Sequence, residues 1–205
     1  LGAGLGSILR GTSFRSRLLK PLLKMQYRFA FGQSRVVFVQ NKDDAQELLD
    51  NRLIKQDKIV IVNGSGVDLI HYPLTPLPSS PVFLFLGRLL RDKGIFEYLE
   101  ACKELKKRYP DVRCLIVGSY DSNPSSLRAG ELEPYIEAGI VEYCGQQEDV
   151  RPFIAQCSTL VLPSYHEGTP RSVLEAMSMG RSIITTDAPG CRETVIDEYN
   201  GYLVP

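Results

Sequence analysis

Several short segments of this chain are apolar on consecutive residues rather than on alternate ones, and that limits the folds open to it. "VFLFLG" from Val82, "VRCLIVG" from Val112, "IVEYC" from Ile140, "TLVLP" from Thr159 and "SIITT" from Ser182 are too short for helices and leave no face for water. A strand that is apolar on both faces must be covered on both faces. Helical patterns from about Lys93 to Tyr109, and over 131–138, 148–156 and 170–179, fall between these segments and supply that cover. The alternation predicts an α/β fold with a doubly wound, Rossmann-like parallel sheet, in which ligands collect at the carboxyl ends of the strands. Upstream, "RVVFVQ" (35–40) and "KIVIVN" (58–63) read as strands around a helix in "KDDAQELLDNRL". After the turn "GSGVD", the proline-rich "HYPLTPLPSSP" reads as a linker. The division expected is 1–63, a linker at 64–81, and a second domain at 82–205. Leu1 and Pro205 both look like cuts through structure, so a piece of a longer protein is expected.

Formal net charge is zero, so no global field recruits nucleic acid, and none is expected as a partner. The five cysteines form no CxxC pair and leave an odd count, which fits small hydrophobes in a reducing cytosol better than a disulfide framework. Apolar runs stay far below the ~20 residues a spanning helix needs, and no signal-peptide pattern opens the chain. A cytoplasmic location is the expectation. From Leu1 to Arg35 the chain carries Arg10, Arg15, Arg17, Lys20, Lys24, Arg28 and Arg35 without an acidic residue. Leu18, Leu19, Leu22, Leu23, Tyr27 and Phe31 are interleaved at helical spacing, giving a basic amphipathic helix. Such a helix either packs its stripe on a core or lies against anionic lipid at the inner face of a membrane. "GAGLGS" (2–7) is glycine-rich, but no strand precedes it, so it reads as a turn rather than a dinucleotide loop.

Two carboxyl-end loops carry suggestive chemistry. In "FLGRLLRDKG" (85–94) Gly87 ends a strand, Arg88 follows, and Lys93 with Gly94 opens the next helix. Arg88 offers a planar fork for phosphate oxygens and Lys93 a mobile point charge; the plainer reading is two solvated cations beside a turn. In "SYHEGTPRSVLEAM" (164–177) Thr169 is the expected N-cap and Pro170 the first helical residue, so free amides and the positive end of the helix dipole favour an anion. Glu175 then lies ~7 Å further along the axis, about the step from a diphosphate to a ribose whose hydroxyls a carboxylate can accept. Glu167 in the loop could accept from a sugar on the far side of the diphosphate. Taken alone, two glutamates eight positions apart are ordinary surface residues.

Taken together, "FLGRLLRDKG", "SYHEGTPRSVLEAMSMG" (164–180), "TTDAPGCRETV" (185–195) and "NGSGVD" (63–68) resemble the retaining glycosyltransferases of family 4, which have the two-domain GT-B fold. The resemblance implies that 82–205 is the nucleotide-sugar-binding domain and 1–63 the closing part of the acceptor-side domain. By resemblance Arg88 and Lys93 match the diphosphate-binding pair, Glu175 the ribose-binding glutamate, and Glu167 the glutamate contacting the donor sugar. Gly168 and Thr169 match the loop whose amides approach phosphate and sugar, and "GQQEDV" (145–150) the segment lining the base. Where the family often has a double glycine, this chain has Pro189-Gly190, so no ligand role is carried there and Gly190 reads as a backbone requirement.

The implied reaction is sugar transfer with retention from a nucleotide-diphosphate donor, a UDP-sugar by family bias, to a saccharide or lipid-linked acceptor in cell-surface polysaccharide or glycolipid synthesis. Arg88, Lys93 and Glu167 would carry the chemistry. No cofactor is expected, and no metal, since the chain has no DxD-type carboxylate pair and its histidines, His71 and His166, are far apart. His166 reads as shaping the loop beside Glu167. Two other classes remain open: a nucleotide-sugar epimerase or hydrolase of the same architecture, which would release nucleotide without an acceptor, and a binding module with a dead site. A piece lacking most of one domain is expected to bind donor without efficient turnover.

Overall fold

The computed structural model describes residues 14–205, with side chains from Leu19 onward. Arg10 and the glycine-rich stretch at 2–7 lie outside the described residues. The chain divides into two compact units: the residues through Ser65 together with Glu167–Thr169, and Gly66–His166 with Pro170–Pro205.

In the first unit, helix α1 (Phe14–Gln33) leads into strand β1 (Val37–Val39), helix α2 (Lys42–Asp50) and strand β2 (Ile59–Ile61). The two strands pair in parallel, Val37 opposite Ile59. Asn41 starts α2: its side chain accepts from the Asp44 amide, and Asp43 and Asp44 in the first turn complement the helix dipole. Ala45 and Leu48 then face inward onto Val39 and Leu53. Of the apolar stripe expected on the N-terminal helix, Tyr27 and Phe31 stack on one another and pack against this small core. Leu19 and Leu22 remain 43% and 49% exposed, so the stripe is only partly used. Among the described residues no helix is long and apolar enough to cross a membrane.

The second unit is built on strands β3 (Val82–Leu86), β4 (Arg113–Val117), β5 (Glu142–Tyr143), β6 (Thr159–Leu162), β7 (Ser182–Thr186) and β8 (Gly201–Val204). They form one sheet in the order β5-β4-β3-β6-β7-β8, every neighbouring pair parallel. Helices α3 (Ile95–Arg108), α4 (Ala129–Glu137), α5 (Arg151–Gln156) and α6 (Arg171–Ser178) fall in the crossovers. The consecutive apolar runs are the core: Leu84, Phe85, Leu115, Ile116, Leu160 and Ile183 are all essentially inaccessible. Tyr98 of α3 is buried among them and donates its hydroxyl to the carbonyls of Phe83 and Leu115, at 3.1 and 3.0 Å, so the one polar atom it brings inside is satisfied. The cysteines are free thiols, four of them buried and Cys144 partly so. Burial pushes the Cys157 thiol up to about 11. Arg181, also buried, donates to the carbonyls of Thr75 and Pro76 and so fixes the proline-rich stretch within this unit.

The carboxyl ends of β3 and β6 are where the strand order reverses, because β3 is followed outward by β4 and β5 while β6 starts the opposite march through β7 and β8. In an open parallel sheet that reversal leaves a crevice. The loops that leave it are fastened together. The Asp92 carbonyl accepts from the Tyr165 amide and from the Ser164 hydroxyl, each at 3.0 Å. Gly94, in the left-handed region at φ 74°, lies so close to Pro163 that any Cβ there would collide with the Pro163 carbonyl. Gly94→Ala is therefore expected to destabilise the second unit by about 2–4 kcal/mol, from the left-handed backbone and the displaced carbonyl together. Urea unfolding measures this; a loss below about 0.5 kcal/mol, the level of a neutral surface change, would contradict the packing described.

Candidate functional site

The loop after β3 is laced to the loop after β4. The Gly87 amide donates to Val117, Leu89 to Ser119, Arg91 to Ser125, and Leu127 donates back to Leu89. A 3-10 turn (Arg91–Lys93) then leads into α3. On this frame Arg88 stands exposed beside Asp121, its Nη1 donating to Oδ2 at 2.8 Å with the side chain 58% accessible. The Asn123 amide, then Arg88, holds the Asp121 carboxyl below its usual range. Arg88 is thus pre-aimed by a carboxylate 33 positions away, with the outer edge of its guanidinium open to solvent. Lys93 closes the 3-10 turn half-buried, its amide donating to Leu90 at 3.0 Å.

The helix after β6 starts one residue later than the sequence indicates. Pro170, extended at ψ 112°, is the cap, α6 begins at Arg171, and no side chain caps it. Thr169 is not the N-cap because Pro170 stays extended and takes the cap position, which leaves Thr169 one residue outside the helix. Helix α5 likewise begins at Arg151 rather than 148, since Asp149 turns its carboxylate onto the Arg151 amide and guanidinium. The first-turn amides of α6 still lack intrahelical acceptors and give that end a positive potential.

Glu175, one turn in, is 9% exposed. Arg171 reaches it at 3.2 Å across one helical turn. Burial raises its carboxyl above the usual range, opposed by the Arg171 charge and by a hydrogen bond from the Tyr72 hydroxyl. Tyr72 is itself pinned along the helix, its carbonyl accepting from Ser178 Oγ at 2.6 Å. Beside it, the His71 carbonyl accepts from Arg151 Nη1 at 3.4 Å, and Arg151 in turn grips Asp149. Arg151 thus ties Asp149, near the end of the segment 145–150, to His71, the neighbour of Tyr72. Within the second unit, Arg88 and Lys93 share one loop at the strand reversal, and Glu175 is buried on the helix leaving it. Glu167, Gly168 and Thr169 belong to the first unit, where Gly168 is buried. Among the described residues no three His, Cys, Asp or Glu side chains gather as a metal site.

Sequence reasoning misses Asp121, Tyr72 and Asn41. Asp121 lies in the polar loop at the carboxyl end of β4, a position that could have flagged it. Tyr72 sits in a proline-rich stretch and carries no local signal.

A parallel sheet of this order, with helices in its crossovers, is the α/β arrangement of GT-B proteins, and solved structures share the fold. A sucrose-phosphate synthase from Thermosynechococcus elongatus matches with a TM-score of 0.76 at 24% identity, covering 98% of this chain and 53% of that one. The pneumococcal O-GlcNAc transferase GtfA, solved with UDP and GlcNAc, matches at 0.69 and 21% identity over 88% of this chain and 36% of its own. Residues 80–205 match the family described as glycosyl transferases group 1, and the chain belongs to that family. Its relatives include the N,N'-diacetylbacillosaminyl-diphospho-undecaprenol alpha-1,3-N-acetylgalactosaminyltransferase of Campylobacter jejuni, 29% identical over 97% of this chain and 54% of that protein. The phosphatidyl-myo-inositol mannosyltransferase of Mycolicibacterium smegmatis is 32% identical over 73% of this chain and 39% of its own length. The chain spans about half the length of the curated relatives it matches.

The burial of Glu175 has a measurable sign. A carboxyl whose folded-state value is raised stabilises the fold least once ionised, so its contribution is present below the unfolded value near 4.5 and is lost as pH rises through the folded one. Glu175→Gln should melt higher than the wild type at pH 7, by a few degrees, and the difference should shrink as pH falls toward 4.5. Thermal melts across that range check it; a lower melting point at pH 7 would contradict it.

Proposed function

We propose that this chain is the donor-binding half of a glycosyltransferase that moves a sugar from a nucleoside-diphosphate donor, a UDP-sugar, to a saccharide or lipid-linked acceptor with retention at the anomeric carbon. One observation carries the reading: a preset guanidinium and a lysine on the β3 loop lie at the strand reversal that also launches the helix holding a buried carboxylate. Cations and helix-end amides suit a diphosphate, and Glu175 suits the ribose beside it. The segment 145–150, which follows β5 at the same end of the sheet, suits the base. Glu167, Gly168 and Thr169, in the link between β6 and α6, take the sugar side of the donor.

A nucleoside diphosphate leaves readily once its developing charge is met, so the chemistry asks mainly for fixed positive potential. Arg88, Lys93 and the first amides of α6 supply it without a general acid. Retention follows in this reading if the acceptor attacks from the face the diphosphate leaves. The C. jejuni and M. smegmatis relatives carry lipid-linked acceptors in their names, which supports a lipid-linked acceptor and a role in polysaccharide or glycolipid assembly here. The cationic face of α1, with Leu19 and Leu22 exposed, is consistent with peripheral contact on anionic lipid at the cytoplasmic surface.

Arg88→Ala should weaken UDP binding by this chain roughly 10- to 100-fold, the loss expected for a charge-assisted bond to phosphate. Isothermal titration measures it, and unchanged affinity would contradict the assignment.

A further inference from the structure

Asn41 combines deep burial with bonds that helix capping does not require. It is 1% exposed, and its Oδ1 accepts from the Asp44 amide at 2.7 Å, which is the capping bond. Its Nδ2 donates to the Glu167 carbonyl at 3.1 Å, to the Gly168 carbonyl at 3.2 Å, and to Asp44 Oδ2 at 3.2 Å. Serine or aspartate would cap α2 equally well, but neither offers an NH2 beside the capping oxygen. The choice of a carboxamide is explained by the tripeptide it holds.

The same tripeptide is gripped by two further residues of the first unit. Gln40 Oε1 occupies the space a Cβ on Gly168 would need, and the Thr169 side chain packs where Gly64, at φ 71°, leaves room. Glu167–Thr169 is therefore fixed at two carbonyls, at a Cα and at a side chain, all within one compact unit.

We propose that Asn41 is a positioning residue for the donor loop. By holding the Glu167 and Gly168 carbonyls it sets the peptide planes from which the Glu167 side chain and the Gly168 and Thr169 amides are presented to the donor sugar. This rests on the donor-binding reading above. It implies that what the sugar adds to affinity, rather than what the nucleotide contributes, depends on Asn41.

The test uses this chain and Asn41→Ser, which keeps the capping oxygen and removes the NH2. Affinities for UDP, UDP-glucose and UDP-N-acetylglucosamine are measured by titration, and hydrogen exchange is followed at the Gly168 and Thr169 amides. The variant is expected to bind UDP within about twofold of the wild type, and to lose about tenfold of the extra affinity contributed by the preferred sugar. Its Gly168 and Thr169 amides should exchange faster while those of α2 do not. A merely structural role would move UDP binding and α2 exchange as well. If Asn41→Ser does not fold, Asn41→Thr, an uncharged cap that also lacks the NH2, is expected to show the same selective loss. Full retention of the sugar increment, or unchanged exchange at Gly168 and Thr169, overturns the proposal while leaving the donor reading intact. A wild type that gains nothing from either sugar over UDP overturns the donor reading and this proposal with it.

Discussion

Setting β6 beside β3 rather than beside β5 is the constraint from which the rest of this structure follows. It puts two chain exits on one edge of a sheet and requires the loops leaving them to diverge. The Asp92 carbonyl binds those loops to each other by accepting from the Tyr165 amide and the Ser164 hydroxyl, and Gly94 permits an approach that no side chain would tolerate. The result is a fixed edge rather than a pair of mobile loops. Charges mounted on such an edge need little reorganisation when an anion arrives, which is what electrostatic stabilisation of a departing diphosphate requires.

The charges are arranged in graded environments. Arg88 is exposed and oriented by Asp121, so a phosphate group can compete for it at small desolvation cost. Glu175 is the opposite case, buried, raised by that burial, and steadied by Arg171 and Tyr72. Holding a carboxylate there costs stability in the empty protein, and a ligand hydroxyl would relieve part of that cost. Such a trade is common where a site is kept for binding rather than for the fold.

The sheet was legible because strands covered on both faces must be apolar throughout, and the runs at Val82–Leu86 and Thr159–Leu162 have few other uses. Gly190 at φ 81° likewise shows the backbone requirement that Pro189-Gly190 suggests. What escaped depends on distant partners. Strand β5 is only Glu142–Tyr143, too short for its pattern to mark its limits. The start of α6 shifts by one residue because Pro170, whose fixed φ suits a first helical residue equally well, stays extended at ψ 112° and caps the helix instead. Asn41 carries no local sign of its donors to Glu167 and Gly168, which join positions 126 and 127 apart.

The central claim, that nucleoside diphosphate binds at the strand reversal of the second unit, is tested most directly by mapping backbone amide chemical shifts of this chain as UDP is added. The account predicts shifts gathered at Gly87–Gly94, Gly145–Val150 and the start of α6 through Glu175. Shifts gathered instead in the basic cavity of the first unit lined by Arg28, Arg52, Lys55 and Lys58, with the β3 and β6 loops unmoved, would contradict it.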